Sequence, residues 1–187
     1  LLEASYAAER AGAISHAFRQ AQAALAQARA AGQEEPLAAA LACLAYMHGR
    51  LGHHDQARAL AEEALNCAAP LSPARVQAWK TLGDCAHESG DLAAAGRHYH
   101  CAIDLSRQLG LTYMLHRCLH SLSACVYIPR GQFDLALAAD SESVDLAESS
   151  GFLDEIWLPL LTLSWTLWLT GRSERAFEVA VHMEEHS

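Results

Sequence analysis

An all-α stack of helical hairpins is the fold class this sequence predicts, and three observations predict it. Glycines recur through the whole chain at nearly even intervals of roughly 40 residues, at Gly12, Gly52, Gly90, Gly131 and Gly171. Each is followed five positions later by alanine, at Ala17, Ala57, Ala95, Ala136 and Ala176. The composition is 52% hydrophobic over 187 residues, rich in Ala and Leu with only five Pro, which suits packed helices better than short alternating strands.

The step after each glycine carries the chemistry. Glycine reaches the left-handed conformation without a Cβ penalty and closes one helix. The polar residues that follow, as in Gly52-His53-His54-Asp55, Gly90-Asp91, Gly131-Gln132-Phe133-Asp134 and Gly171-Arg172-Ser173-Glu174, supply an Asp or Ser to cap the next. The alanine must be small because the two helices cross closely there. Each unit is therefore a hairpin that cannot bury its apolar face alone, so neighbours stack. Five units are expected, at about 1–32, 33–70, 71–110, 111–151 and 152–187, in a single repeat domain that no linker divides.

About ten antiparallel helices follow in order. The first unit gives Leu1 to Arg10 and Ala13 to Ala31, broken at Gly12. The second gives Glu34 to Arg50 and Asp55 to Cys67. Pro73 to Glu88 and Leu92 to Leu109 form the third. Thr112 to Ile128 and Phe133 to Ser149 form the fourth. The fifth gives Asp154 to Leu169 and Ser173 to Glu185, where Pro159 falls inside the first helix and is expected to bend it.

The third unit has the most specific text: Trp79, Leu82-Gly83, Ala86, Gly90, Ala95, Tyr99 and Ala102. It resembles a tetratricopeptide (TPR) repeat, whose pattern is W-x2-L-G-x2-Y followed by Ala, an aromatic and Ala. Leu41, Leu44-Ala45, Gly52, Ala57, Ala61 and Ala64 repeat it more weakly, as do Ser123-Ala124, Tyr127, Gly131 and Ala136, and then Leu160, Leu163-Ser164, Gly171, Ala176 and Ala180. The resemblance implies a right-handed superhelix, an α-solenoid. The spacings exceed the family's usual period of about 34 residues. Long, Ala-rich units of this kind resemble the superhelical sensor region of bacterial MalT-like, LuxR-type transcriptional regulators. Lys80-Thr81 lacks the glycine lead of a phosphate loop and no basic DNA-reading helix follows Ser187, so such kinship would make this chain a middle piece of a longer protein.

A net charge of -9, with Lys80 the sole lysine, argues against direct nucleic-acid binding, which needs a basic surface. The most apolar stretch, Ile156 to Leu169, is shorter than the roughly 20 residues a bilayer span requires. Neither a membrane helix nor a signal peptide is legible, so a cytoplasmic location is expected, with the six cysteines (Cys43, Cys67, Cys85, Cys101, Cys118 and Cys125) as buried thiols.

In TPR stacks the first helix of each hairpin lines the concave face, and positions three, six and ten before each glycine point inward. These give Glu9, Tyr6 and Leu2; Gly49, Tyr46 and Ala42; His87, Asp84 and Lys80; Ile128, Cys125 and Ser121; Trp168, Trp165 and Leu161. Tyr6, Tyr46, Trp165 and Trp168 are the expected anchors, and Lys80, Asp84 and His87 the expected selectors of polarity, with Cys125 on the same face. The carboxylate clamp of TPR co-chaperones needs several donors, and only Lys80 could serve.

His116 and His120 lie four apart on one helix with Cys118 between, and His98, His100 and Cys101 cluster on the helix before. No CxxC or HExxH accompanies them, so solvated or helix-capping histidines are expected, and no metal or other cofactor. His53-His54 reads as a solvated turn. Asp84 and His87 are three apart, a common stabilising pair, and there is no nucleophile elbow, phosphate loop or dinucleotide fingerprint, so no enzyme is expected. The sequence thus predicts a non-enzymatic scaffold that binds a protein or peptide in its groove, or alternatively a small-molecule sensor module of a MalT-like regulator. The apolar last hairpin, with Trp157, Phe177 and Val181, predicts a homodimer through terminal repeats or docking to domains of a parent protein.

Overall fold

Glycine sets the turns, and the turns set the fold. The computed structural model describes the backbone of residues 2–151 and 155–185 and the side chains of 16–151 and 155–183. Gly52, Gly90, Gly131 and Gly171 all have φ between 69° and 80°, as the sequence required. Gly32, Gly110 and Gly151 are left-handed too. Gly32 closes the first helix, and Gly110 and Gly151 close two of the second helices of the hairpins, while the helix that ends at Cys67 stops at Ala68 without a glycine. The turns share one hydrogen-bond pattern in which the residue after glycine donates back five positions: His53 to His48 O, Asp91 to Ala86 O, Gln132 to Tyr127 O and Arg172 to Leu167 O, each at 2.9 Å. These bonds satisfy carbonyls that the helix end leaves open.

Among the described residues all regular structure is helical: α1 (Leu2–Ala31), α2 (Glu34–Arg50), α3 (His54–Cys67), α4 (Pro73–Glu88), α5 (Leu92–Leu109), α6 (Thr112–Leu122), α7 (Phe133–Ser150), α8 (Trp157–Leu169) and α9 (Ser173–Glu185), with a π turn at Ser123–Tyr127. Two compact units, Leu1–Thr81 and Leu82–Ser187, divide within α4.

Three expectations are corrected. The first expected hairpin is one helix, because α1 runs through Gly12. Ala13-Ile14 offers no polar cap after that glycine, and the matching alanine, Ala17, is exposed instead of buried. Among the described residues there are therefore a leading helix and four hairpins, α2–α3, α4–α5, α6–α7 and α8–α9. Pro159 does not bend a helix: α8 starts at Trp157, which puts Pro159 in the first turn, where its missing N–H has no intrahelical partner to lose. Asp154 lies outside the described residues. Capping is also sparser than expected. Asp91 accepts from Ala94 N at 2.8 Å, whereas Asp55 and Asp134 sit inside the first turns of α3 and α7, where they favour the helix dipole.

In the first unit, Ala57, Ala61 and Ala64 of α3 are fully buried against α2. A separate cluster of Ala21, Leu44 and Met47 is flanked by Phe18, Leu25, Tyr46 and Leu60. Ser72 caps α4, accepting from Ala74 N at 3.1 Å, and it donates to Glu35, whose carboxylate also takes Ala69 N at 3.1 Å.

In the second unit, Val144, Ala147, Ile156 and Leu160 form one cluster and Leu137, Leu167 and Ala176 another, both touching Leu163 and Val179. The alanines five past the glycines, Ala57, Ala95, Ala136 and Ala176, are all buried. Polar contacts stitch alternate helices: the ion pair Arg29–Glu63 at 2.8 Å in the first unit, and in the second the ion pair Arg107–Glu142 at 2.8 Å and the contact of His182 Nε2 with Glu148 Oε1 at 2.6 Å. Being exposed, each is worth about 0–1 kcal/mol.

Candidate functional site

Each unit presents its own share of the expected groove. In the first, Tyr46 of α2 is half-buried and borders a small open depression of about 250 Å³, floored by Ala39, Ala42, Ala74 and Pro73 and edged by Cys43 and Gln77. Lys80 is only 5% exposed, so its ammonium is not a surface selector. Tyr6 lies on α1 but outside the residues whose side chains are described.

In the second unit the structure brings Asp84 and Cys125 together through a residue the sequence reading treated only as part of the repeat. Tyr99 of α5 is fully buried, and its hydroxyl donates to Asp84 Oδ1 at 2.8 Å with the Cys125 thiol against the phenol oxygen. Burial, and then the neighbouring Asp84 and Cys125, push the phenol far above its usual pKa. The approach of α4 to α5 is possible because position 83 is glycine: a Cβ there would fall 2.6 Å from the Tyr99 ring. Asp84 is thus committed to a structural bond, and His87 beside it is half-buried.

Cys125 lies in the π turn, where Ile128 N donates to Ser123 O at 3.0 Å.

The histidines are corrected as well. His116 is buried, neither solvated nor capping, with Nδ1 at 2.9 Å from Ser143 Oγ and Ser143 Oγ donating to His116 O at 3.0 Å. Burial, chiefly, pulls its pKa down. His120 Nδ1 lies 3.4 Å from Asp140 Oδ1 and 3.4 Å from Thr162 Oγ1, and the fully buried Asp140 takes a 2.6 Å bond from Ser123. His100 Nε2 lies 3.4 Å from the Tyr127 hydroxyl. His53 is exposed and leans on His48, their Nδ1 atoms 3.4 Å apart. Among the described residues no three His, Cys, Asp or Glu side chains converge as a metal site. The cysteines form no disulfide, but Cys43 and Cys101 are exposed, contrary to the expectation that all six are buried.

The most pronounced surface feature is on α8. Successive 100° steps place Trp157, Leu158, Leu161, Trp165, Trp168 and Leu169 within one arc of about 120°, and all six are exposed, from 40% at Leu158 to 58% at Trp168. The Trp165 and Trp168 rings pair at 5.2 Å between centroids. No charged side chain occurs from Ile156 to Gly171. Trp165, Trp168 and Leu161 are residues the register places in the groove; Leu158 and Leu169 join them on the same arc, which helical spacing alone makes legible. Such a face is unusual, since exposed apolar patches mark interaction sites.

Comparison with known proteins bears on the frame that holds this face. A kinesin light chain-like protein of Podosopora anserina, built of nearly identical TPR-like repeats, has a solved structure similar to this chain at a TM-score of 0.67. The likeness covers 98% of this chain and 91% of that one at 14% identity. A second structure of that protein aligns with a TM-score of 0.66, over 98% and 92% at 14% identity. The fold is that of TPR-like repeats. No protein-family model and no curated protein matches the sequence. Within the TPR-like frame, α2, α4, α6 and α8 are the first helices of the hairpins and α3, α5, α7 and α9 the second. Among the described residues no helix is long and apolar enough to cross a membrane.

Proposed function

We propose that this chain is a non-enzymatic protein-interaction scaffold that engages a partner segment through exposed aromatic side chains on the first helices of its TPR-like hairpins. The observation that carries the reading is the uncharged arc on α8, with Trp165 and Trp168 half-exposed as a ring pair. Aromatic residues supply large contact area at low entropic cost, and they dominate binding energy at interfaces. Tyr46, at the edge of the depression in the first unit, is the corresponding anchor there. Lys80 and Asp84 drop out of the contact set because one is buried and the other is bonded to Tyr99.

A TPR-like fold supports scaffolding in general, while membership among MalT-like regulators, and with it the small-molecule sensor alternative, has no observation behind it. Selection of peptides from a random display library on the purified chain tests the reading. Selected peptides should lose at least about tenfold in affinity on Trp165→Ala or Trp168→Ala, as hot-spot truncations do. A library that yields no peptide dependent on Trp165, Trp168 or Tyr46 refutes it.

A further inference from the structure

The helix that packs on α8, α9, exposes apolar side chains of its own. Phe177 and Val181 of α9 are 71% and 40% exposed, while Ala176 between α8 and α9 is buried. From the exposed fractions of Trp157, Trp165 and Trp168, at about 250 Å² for a whole tryptophan, the three indoles present roughly 400 Å². With Leu158, Leu161, Leu169, Phe177 and Val181 the apolar surface that α8 and α9 expose is on the order of 800 Å², which is what one partner contributes to a standard stable interface.

We infer that the partner of this face is a second copy of the chain, docked face to face across a two-fold axis, so that each α8 covers the other. The inference rests on the proposed reading of α8 as a protein-binding surface and adds the identity of the partner. Area is the first argument. The second is electrostatic: each copy carries a net charge of -9, yet no charged side chain occurs from Ile156 to Gly171, so an α8 laid on its own copy brings no like charges of that helix together. An isologous contact needs a self-complementary patch, and a straight apolar helix packed against its own copy provides one. A pair held in this way by apolar burial between two acidic chains associates more tightly as salt is raised, whereas an acidic chain bound to a basic partner lets go.

Sedimentation equilibrium of the chain, at low and high salt, beside Trp165→Glu and Phe177→Glu, decides it. Both substituted positions are more than half exposed, and circular dichroism of each variant reports whether the helices are retained. The expected result is twice the chain mass at micromolar concentration, strengthened by salt, and a folded monomer for each variant. Dilution should red-shift the wild-type emission, because three of the four tryptophans lie on α8. A wild-type monomer at all concentrations overturns the inference, and so does a dimer that both variants leave intact. In the monomer case, titration with an amphipathic Leu/Lys helical peptide separates the two failures. If the peptide blue-shifts the tryptophans and Trp165→Glu abolishes the shift, α8 is a surface for another protein; if it does not bind, the surface reading falls as well.

Discussion

Replacing Gly83 with alanine probes the close approach of α4 to α5. The new Cβ would stand 2.6 Å from Tyr99 Cε1, 2.7 Å from Cδ1 and 3.0 Å from Cζ. Carbon atoms rest about 3.5–4.0 Å apart, so the ring must retreat by roughly an ångström. It has little room to do so, being fully buried with its hydroxyl held by Asp84 at 2.8 Å. Overpacking of this kind costs about 1–3 kcal/mol. Loss of the bond to the carboxylate adds about 1.5–3 kcal/mol. The helix preference of alanine over glycine returns about 1 kcal/mol.

The net loss is then roughly 1.5–5 kcal/mol, read by urea unfolding under far-UV circular dichroism. In a Tyr99→Ala background the clash is gone, and Gly83→Ala should stabilise by up to about 1 kcal/mol, a sign reversal that a double-mutant cycle exposes. An equal cost in both backgrounds, or no cost in the wild type, refutes the reasoning.

Three further outcomes follow from buried or capping groups. The neutral Tyr99 phenol is favoured by the fold, so its contribution is complete below the ordinary tyrosine value of 10.0 and is lost as pH rises above it. Tyrosinate absorbance for this residue should therefore appear together with alkaline unfolding. His116 runs the other way: its lowered pKa means that the fold prefers neutral imidazole, so stability falls as pH drops below 6.5. Urea midpoints measured between about pH 7 and 5 should decline, and decline less in His116→Gln. Asp91→Ala removes the side-chain cap of α5 and should cost about 0.5–2 kcal/mol in the same assay.

The hairpins were legible because left-handed turns need glycine, and the sequence writes that need as a period. Gly12 kept the period but lacked the polar step that starts a new helix, so it was absorbed into α1. The α8 face was half legible: helical spacing puts Trp165, Trp168, Leu158 and Leu169 on one arc, but only the packing of α7 and α9 shows that the arc is exposed. The Tyr99–Asp84 bond was not legible at all. It joins residues 15 apart on different helices, and nothing local distinguishes an aspartate facing a groove from one answering a buried phenol. The same limit hid His116, whose partner Ser143 lies 27 residues away.

The π turn explains an irregularity in the chain's metre. The steps from Gly90 to Gly110, Gly131 to Gly151 and Gly151 to Gly171 are equal, but the step from Gly110 to Gly131 is longer by a single residue. The surplus sits in Ser123–Tyr127, where a wider turn takes up one extra residue. In most proteins insertions settle in loops and helices stay constant. Here the turns from Gly90 to Gly171 are each held by a left-handed glycine, and the extra residue sits in the helix between two of them.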